Sequence, residues 1–395
     1  MAVSRVPPGS PSSLREANRA RIVDTIKQMG AMTQVEVADA TGLSPATVSI
    51  IVNELVAAGV LTTEQVTRSG RRATQVALSR GLGLVAGIHF SSRALRLLLC
   101  DPDGSVVAEQ RMPLPTDHRA DTGMDQVAAL IADLLADVGA TRSEFQGAGL
   151  GICAPYDPET DMLSVPGLLR GWDEVRIADS LSRRLGKPVV VDNDANLAML
   201  AESRFGVARG ASSAVFISVG HGIGAGILSH GEILRGQAGL AGEIGHIRVA
   251  DQPHLCRCGN RGCLEVMVNS ATIAASLRNA VGTVTLRDVI AMARQGDIGA
   301  TRVIADAASY IGFAVAALCN VLSPEVTVIG GELAGAGGIL TAPMEAAIER
   351  HSLHNPLTPR RVELSALGSD AAALGAAAFA VDRIFQPAGA SQATA

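Results

Sequence analysis

The stretch Gly242-Glu243-Ile244-Gly245-His246, followed by Cys256-Arg257-Cys258-Gly259-Asn260-Arg261-Gly262-Cys263-Leu264-Glu265, holds one histidine and three of the chain's six cysteines. Three thiolates and an imidazole are a common closed tetrahedral set for zinc. Cys256 and Cys258 are too close in sequence to bridge each other easily. Gly259 and Gly262 let the backbone bend and return Cys263 to the same centre. Such a set leaves no position for water, so the expected Zn2+, one per chain, holds a loop together and hydrolyses nothing. Three reduced cysteines on a surface loop are the plainer alternative; the glycines between them favour the metal.

Two carboxylates frame this centre. If Glu243 starts a helical turn, His246 lies on the same face three residues on, and Glu265 follows the last cysteine by two. An imidazole that gives one nitrogen to zinc keeps an N–H on the other, and the metal fixes that tautomer. A donor flanked by two acidic acceptors suits neighbouring hydroxyls of a sugar. Carboxylates that only steady the metal are the competing reading.

A chain of 395 residues should hold two or three domains. Aromatics are only 3% of it, so the core must be built from Ala, Val, Leu and Ile, and alanine-rich helices with 42 glycines suit an α/β architecture. No apolar run reaches the roughly 20 residues of a membrane span and no signal peptide opens the chain, so no membrane partner is expected. Cys100, Cys153 and Cys319 are expected as buried thiols in a reducing cytoplasm. Charge is uneven: residues 1–80 carry nine Lys/Arg against six Asp/Glu, a net of +3 on a chain of −5, leaving −8 on residues 81–395. A basic head on an acidic body places any nucleic acid at the front.

Residues 1–13, with three prolines and four serines, read as a disordered tail, as do 386–395. From 14 to 29 the apolar positions fit an amphipathic helix closed by Gly30. Thr33 caps a short helix over 34–40 that ends at Thr41-Gly42. Ser44, with Pro45 behind it, opens a further helix over 46–55. Helix, short helix, tight turn, helix is the helix-turn-helix layout, here within 14–80. Val48, Ile51, Val52 and Leu55 would pack inward, leaving Ser44, Ala46, Thr47, Ser49 and Asn53 to approach base edges and phosphates. Val60-Leu61 and Gln75-Val76-Ala77-Leu78 alternate like a two-stranded wing, whose Arg71 and Arg72 would enter a minor groove or form a solvated loop.

Beyond residue 82 the expected elements are strands at 82–90 and 94–101, a helix at 127–138, a strand at 147–153, a helix at 175–185, a strand at 189–192, a helix at 198–205 and a strand at 214–219. Two glycine-rich strand ends in separate halves suggest a duplicated α/β fold with a cleft between its lobes. Taken in order, Asp192-Asn193-Asp194-Ala195-Asn196, 220–226, 239–246 and 256–265 resemble the ROK family of bacterial repressors and sugar kinases, with the likeness running from about 82 to 379. Residues 324–331 are similar to that family's C-terminal strand and nucleotide loop. The helix-turn-helix in front is similar to the family's repressor branch, which includes N-acetylglucosamine and xylose regulators.

The resemblance implies a two-lobed fold similar to actin and hexokinase, of RNase H type, across 82–385. It implies zinc on His246, Cys256, Cys258 and Cys263, and sugar contacts from Asn193, Asp194, Glu243, His246 and Glu265. Asp194 matches the family's catalytic base, and Pro155, Pro166, Leu168 and Trp172 fall where its substrate loop lies. The departures separate regulator from kinase. Family kinases open their first hairpin with Asp-x-Gly-Gly-Thr, whose glycine amides cradle phosphate; here His89-Phe90-Ser91-Ser92-Arg93 stands in that place, and Ser91 and Ser92 restore the obstruction. His221 occupies a usual threonine position in the second loop, and Glu332 replaces a common third glycine near the nucleotide. Asp194 is then a vestigial base, since a base without bound ATP–magnesium transfers nothing. The expected protein is a cytoplasmic, sugar-responsive regulator of carbohydrate genes that represses them. Its expected partners are operator DNA and a sugar or sugar phosphate effector, in a homodimer or tetramer. An ATP-dependent sugar kinase with an appended DNA-binding head is the alternative.

Overall fold

The computed structural model describes residues 11–68, 71–115, 118–251, 254–353 and 361–385. Helix α1 (Pro11–Met29) begins inside the stretch expected to be a disordered tail, with Pro11 at the first helical position, where its missing N–H is no loss. Residues 1–10 and 386–395, the remainder of the two expected tails, lie outside the described residues. Strand β1 (Met32–Thr33) leads into α2 (Gln34–Thr41), whose capping box closes as Thr33 N donates to Glu36 Oε2 at 2.7 Å and Glu36 N to Thr33 Oγ1 at 3.3 Å. After Gly42, in the left-handed region at φ +69°, α3 (Pro45–Ala57) turns away from α2 by 115°. Val48, Ile51, Val52 and Leu55 are buried as their spacing requires. Strands β2 (Leu61–Arg68) and β3 (Arg71–Leu78) pair antiparallel, Leu61 opposite Leu78, and β1 adds to β3 as a third strand.

The body repeats one topology twice. Strands β4 (Leu84–Phe90), β5 (Ala94–Cys100) and β6 (Val106–Pro113) form an antiparallel meander. Helix α4 (Ala120–Asp137) then returns the chain to β7 (Phe145–Ile152), parallel to β4. A short hairpin of β8 (Tyr156–Asp157) and β9 (Met162–Leu163) precedes α5 (Ile177–Leu185) and β10 (Val189–Asn193), parallel to β7. Helix α6 (Asp194–Phe205) leads to the second meander, β11 (Ala214–Val219), β12 (Ile223–Ser229) and β13 (Glu232–Ile233). Helices α7 (Leu264–Val268), α8 (Ser270–Ser276), α9 (Arg278–Val281), α10 (Leu286–Arg294) and α11 (Ile298–Leu322) follow. Strand β14 (Val326–Gly330) lies parallel to β11, and α12 (Gly338–His351) leads to β15 (Arg361–Leu364), parallel to β14. The sheet orders β6-β5-β4-β7-β10 and β13-β12-β11-β14-β15 are the same arrangement, the duplicated RNase H-type lobe of actin and hexokinase.

The structure departs from the sequence reading at several elements. Strand β6 carries mostly exposed residues and escapes an apolar reading. Helix α4 begins seven residues before 127 and buries Ala120, Gly123 and Met124. The helix expected at 198–205 begins four residues earlier, so that 194–197 is the first turn of α6. Residues 223–226 are strand, and their glycines answer to packing: a Cβ on Gly226 would stand 2.2 Å from the Ala195 carbonyl oxygen. Helix α11, at 25 residues, is also long and apolar enough to cross a membrane, contrary to the expectation of no such run. Ala300, Ile304, Ala307, Ala308, Ile311 and Val315 of this helix are buried in the second lobe's core, as in a core helix of a globular protein.

The last helix, α13 (Ala371–Ile384), crosses back to the first lobe. A Cβ on Gly375 would lie 1.8 Å from the Leu197 carbonyl oxygen of α6, one on Gly87 of β4 would lie 2.0 Å from that of Ala373, and one on Gly149 of β7 would lie 1.8 Å from that of Ala376. Backbone therefore meets backbone on α6, β4 and β7. Ala373, Ala377, Ala380 and Val381 also join one apolar cluster with Ile22, Val23 and Ile26 of α1 and Val85, Leu98 and Cys100 of the first sheet. The buried Lys27 of α1 donates from Nζ to the Phe385 carbonyl at 2.7 Å, just beyond α13. Gly375→Ala is expected to cost about 1–3 kcal/mol in chemical denaturation through overpacking. Gly338→Ala, which would meet nothing within 4 Å, should leave stability unchanged or slightly higher.

Candidate functional site

The loop after β13 builds the His/Cys centre. Gly242, at φ +89°, accepts from Ala225 N at 3.0 Å, and a Cβ there would sit 2.0 Å from the Ala225 oxygen, so glycine lets this chain lie flat on β12. A single 3-10 turn, Ile244–His246, then follows Glu243, which brings the Glu243 carboxylate to 3.8 Å from His246 Nε2. Gly259 and Gly262 are both left-handed, at φ +90° and +71°, and bridges Leu255↔Arg261 and Arg248↔Cys263 close the loop. His246, Cys256, Cys258 and Cys263 place one ligand atom each within 4.8 Å of the others, the only such group of metal-binding type among the described residues.

Those atoms are spaced as a tetrahedral ion would space them. Cys258 Sγ lies 3.7 Å from Cys263 Sγ, and His246 Nδ1 lies 3.5 Å from Cys256 Sγ. Around one zinc the tetrahedral edges are about 3.8 Å between sulfurs and about 3.5 Å from sulfur to nitrogen. Burial pushes the Cys263 thiol up to about 12 and raises Cys256, while the Asn260 backbone N–H draws Cys258 down. A metal takes these cysteines as thiolates, so its uptake would release protons and order the loop together.

Around the centre the acids are crowded. Burial, then Glu265 and Asp194, push the Glu243 carboxyl up to about 7. Glu265 is gripped by Arg257, Nε to Oε1 at 2.9 Å and Nη2 to Oε2 at 3.0 Å, a two-point pair whose arginine sits between two of the cysteines. Sequence reasoning missed this partner, although its place in the loop was visible. Asp194 Oδ2 lies 3.1 Å from His89 Nε2, so the presumed base is engaged by the imidazole that stands at the head of the altered first loop. Burial and Asp194 push the nearby Cys153 thiol up to about 12, and Cys153 is half-buried.

Asn193 is drawn into structure. Its Oδ1 caps α6 by accepting from Ala195 N at 2.9 Å and Asn196 N at 3.4 Å, and its Nδ2 donates to the Ala154 oxygen at 3.2 Å. The preceding Asp192 is buried and accepts from Arg235 Nε at 2.7 Å. Trp172 is fully buried against Phe90 and His118, so it is a core residue and not a wall of the substrate loop.

Arg93 of the first altered loop lies near enough to His221 of the second to act on its charge. Ser91 Oγ accepts from Ala94 N at 2.9 Å and from Arg93 N at 3.4 Å, and donates to the Ala94 oxygen at 2.9 Å. Gly220 N donates to the Gly222 oxygen at 3.0 Å, closing the turn that carries His221. Burial and then Arg93 push His221 below its ordinary pKa, while Glu332 opposes them. Glu332 is itself paired with Arg287 Nε at 2.8 Å.

On the head, Ser44 caps α3 by accepting from Thr47 N at 3.1 Å; Ala46 and Asn53 are exposed, Thr47 and Ser49 half-buried. Arg72 is exposed on the wing, the Arg71 side chain lies outside the described residues, and the wing tip, Ser69-Gly70, does so entirely.

A model of the ROK family matches residues 85–383, and one of the MarR family matches 16–72. The chain is 25% identical over 389 residues to the xylose repressor of Caldicellulosiruptor bescii, covering 94% of this chain and 97% of that protein. It is 32% identical over 312 residues to a glucokinase of Halalkalibacterium halodurans, covering 73% and 92%. A solved ROK family transcriptional regulator, a homologue of the Escherichia coli MLC protein, superposes with a TM-score of 0.75 at 25% identity, covering 92% and 95%.

Asn193→Ala is expected to lower unfolding free energy by about 1–2 kcal/mol with no sugar present, because a helix cap is lost. A urea titration of the sugar-free protein checks this.

Proposed function

Because this chain belongs to the ROK family, we propose that it is a sugar-responsive transcriptional repressor that binds operator DNA through its head and a sugar or sugar derivative between its lobes. Asp194, Glu243 and Glu265 would accept from vicinal hydroxyls, His246 would donate from Nε2, and Asn193 would contribute only what its capping bonds leave free. The observation that carries the regulatory reading is the Ser91 turn. Its hydroxyl occupies the Arg93 and Ala94 amides, the type of donor that a phosphate cradle needs free. Asp194 bonded to His89 supports the same reading, since a base must reach the hydroxyl it deprotonates.

The presence of Asp194 and the likeness to a glucokinase favour a second reading, an ATP-dependent sugar kinase bearing a DNA-binding head. Sugar-dependent ADP release under saturating ATP–magnesium decides between them. The regulatory reading expects none above background; release that Asp194→Asn abolishes would overturn it. Operator binding with and without a panel of pentoses, hexoses and hexosamines tests the sensing claim, which fails if no sugar changes affinity.

His246, Cys256, Cys258 and Cys263 would hold Zn2+, whose chemistry here is to take three thiolates and an imidazole into one structural centre. The loop then presents Glu243 and Glu265 to the sugar. Purified protein is expected to carry one zinc per chain, and Cys258→Ser should lose it and melt at lower temperature. Native protein with no stoichiometric metal would remove the assignment. The proposed assembly is a dimer or tetramer in the cytoplasm, where paired heads meet paired half-sites.

A further inference from the structure

The outward face of α3 carries one side chain that sequence reasoning left out. Ile50 is 57% exposed, and Ala46 and Asn53 are exposed on either side of it, at helical spacings of four and three. Helix α3 contains no Lys, Arg, His or Gln. Its single acid, Glu54, is paired with Arg15 of α1. Ser44 and Thr47 turn their hydroxyls to each other at 2.8 Å while Ser44 caps the helix. The side chains left exposed on this face are thus two apolar ones and one amide, with the half-buried Ser49 adding one hydroxyl beside them.

Base edges in the major groove sort these chemistries. Guanine O6 and N7 take an arginine or lysine, cytosine N4 suits an acidic acceptor, adenine N6 and N7 match an Asn amide at two points, the thymine methyl takes an apolar contact, and a serine hydroxyl serves either pair. We infer that α3 reads A·T pairs: Asn53 takes adenine, and Ile50 and Ala46 pack on thymine methyls. With no cation on the helix and its one carboxylate neutralised by Arg15, α3 has no charged group that selects G·C, and the Ser49 hydroxyl does not favour either pair. Any G·C preference in the operator then comes from outside this helix. The inference rests on the reading that α3 is the helix that docks on DNA.

Selection of binding sites from a randomised duplex pool by the full-length protein tests it, followed by single replacement of thymine with deoxyuridine in the selected site. The core of each half-site should contain A·T pairs only. Loss of the methyl facing Ile50 should weaken binding about fourfold, the worth of one buried methyl, and Ile50→Ala should erase that difference. Asn53→Ala should reduce discrimination of adenine from guanine at one position by about tenfold. A guanine or cytosine fixed within the core, or deoxyuridine without effect at every position, overturns the A·T readout while leaving docking by α3 intact. If Ile50→Ala and Asn53→Ala leave both affinity and the selected sequence unchanged, α3 is not the docking helix and the reading of the head falls with the inference. Both positions are exposed, so the variants are expected to melt with the parent protein.

Discussion

The close approach of α13 to α6, β4 and β7 is the constraint on which the rest of the molecule depends. Three glycines, one on α13 and two on the sheet, remove the side chains that would keep these backbones apart. Alanines fill the remaining contacts, so the helix seats on its neighbours with few rotamers to reorganise. Two consequences follow. The N-terminus of α6, where Asn193 and Asp194 sit, is tied to the first sheet as one body. The α13 residues Ala373, Ala377, Ala380 and Val381 then form, with the first sheet, the surface on which α1 of the head rests.

That arrangement gives a physical route between a ligand in the cleft and DNA, though a route is not yet a coupling. A sugar can shift operator affinity only by the difference in its own affinity for the two arrangements of the lobes. The site is built so that such a difference can exist. Glu265 is held by Arg257 and Asp194 by His89, so in the proposed site hydroxyls that compete for these carboxylates would have to rearrange pairs that already bridge separate elements. Burial and the other two acids hold the Glu243 carboxyl up, so donors in the proposed site would relieve it.

Much of this was legible in the residues. The cysteine spacing with its two glycines located the metal-type centre, Thr33 and Ser44 marked the helix starts of the head, and the glycine-rich strand ends pointed to two lobes. What escaped has identifiable causes. The glycines at 223–226 look like a phosphate loop but serve a strand pressed on α6, because a missing side chain is the same letter whether it admits an anion or a backbone. Strand β6 has too few buried residues to announce itself. The pairs Arg257–Glu265 and His89–Asp194 join residues 8 and 105 positions apart; the first lay within the cysteine stretch, between the loop and the start of α7, and the second needed the fold. Trp172 matched a loop by position, and only packing revealed it as core.

Lys27 and Phe385 are 358 residues apart, yet the bond between them belongs to the seat of the DNA head. During synthesis, α1 leaves the ribosome long before the helix that covers it. A nascent chain therefore carries a head whose apolar flank at Ile22, Val23 and Ile26 lacks the cover that Ala377, Ala380 and Val381 later supply. The seat of the head is therefore complete only in chains translated through α13.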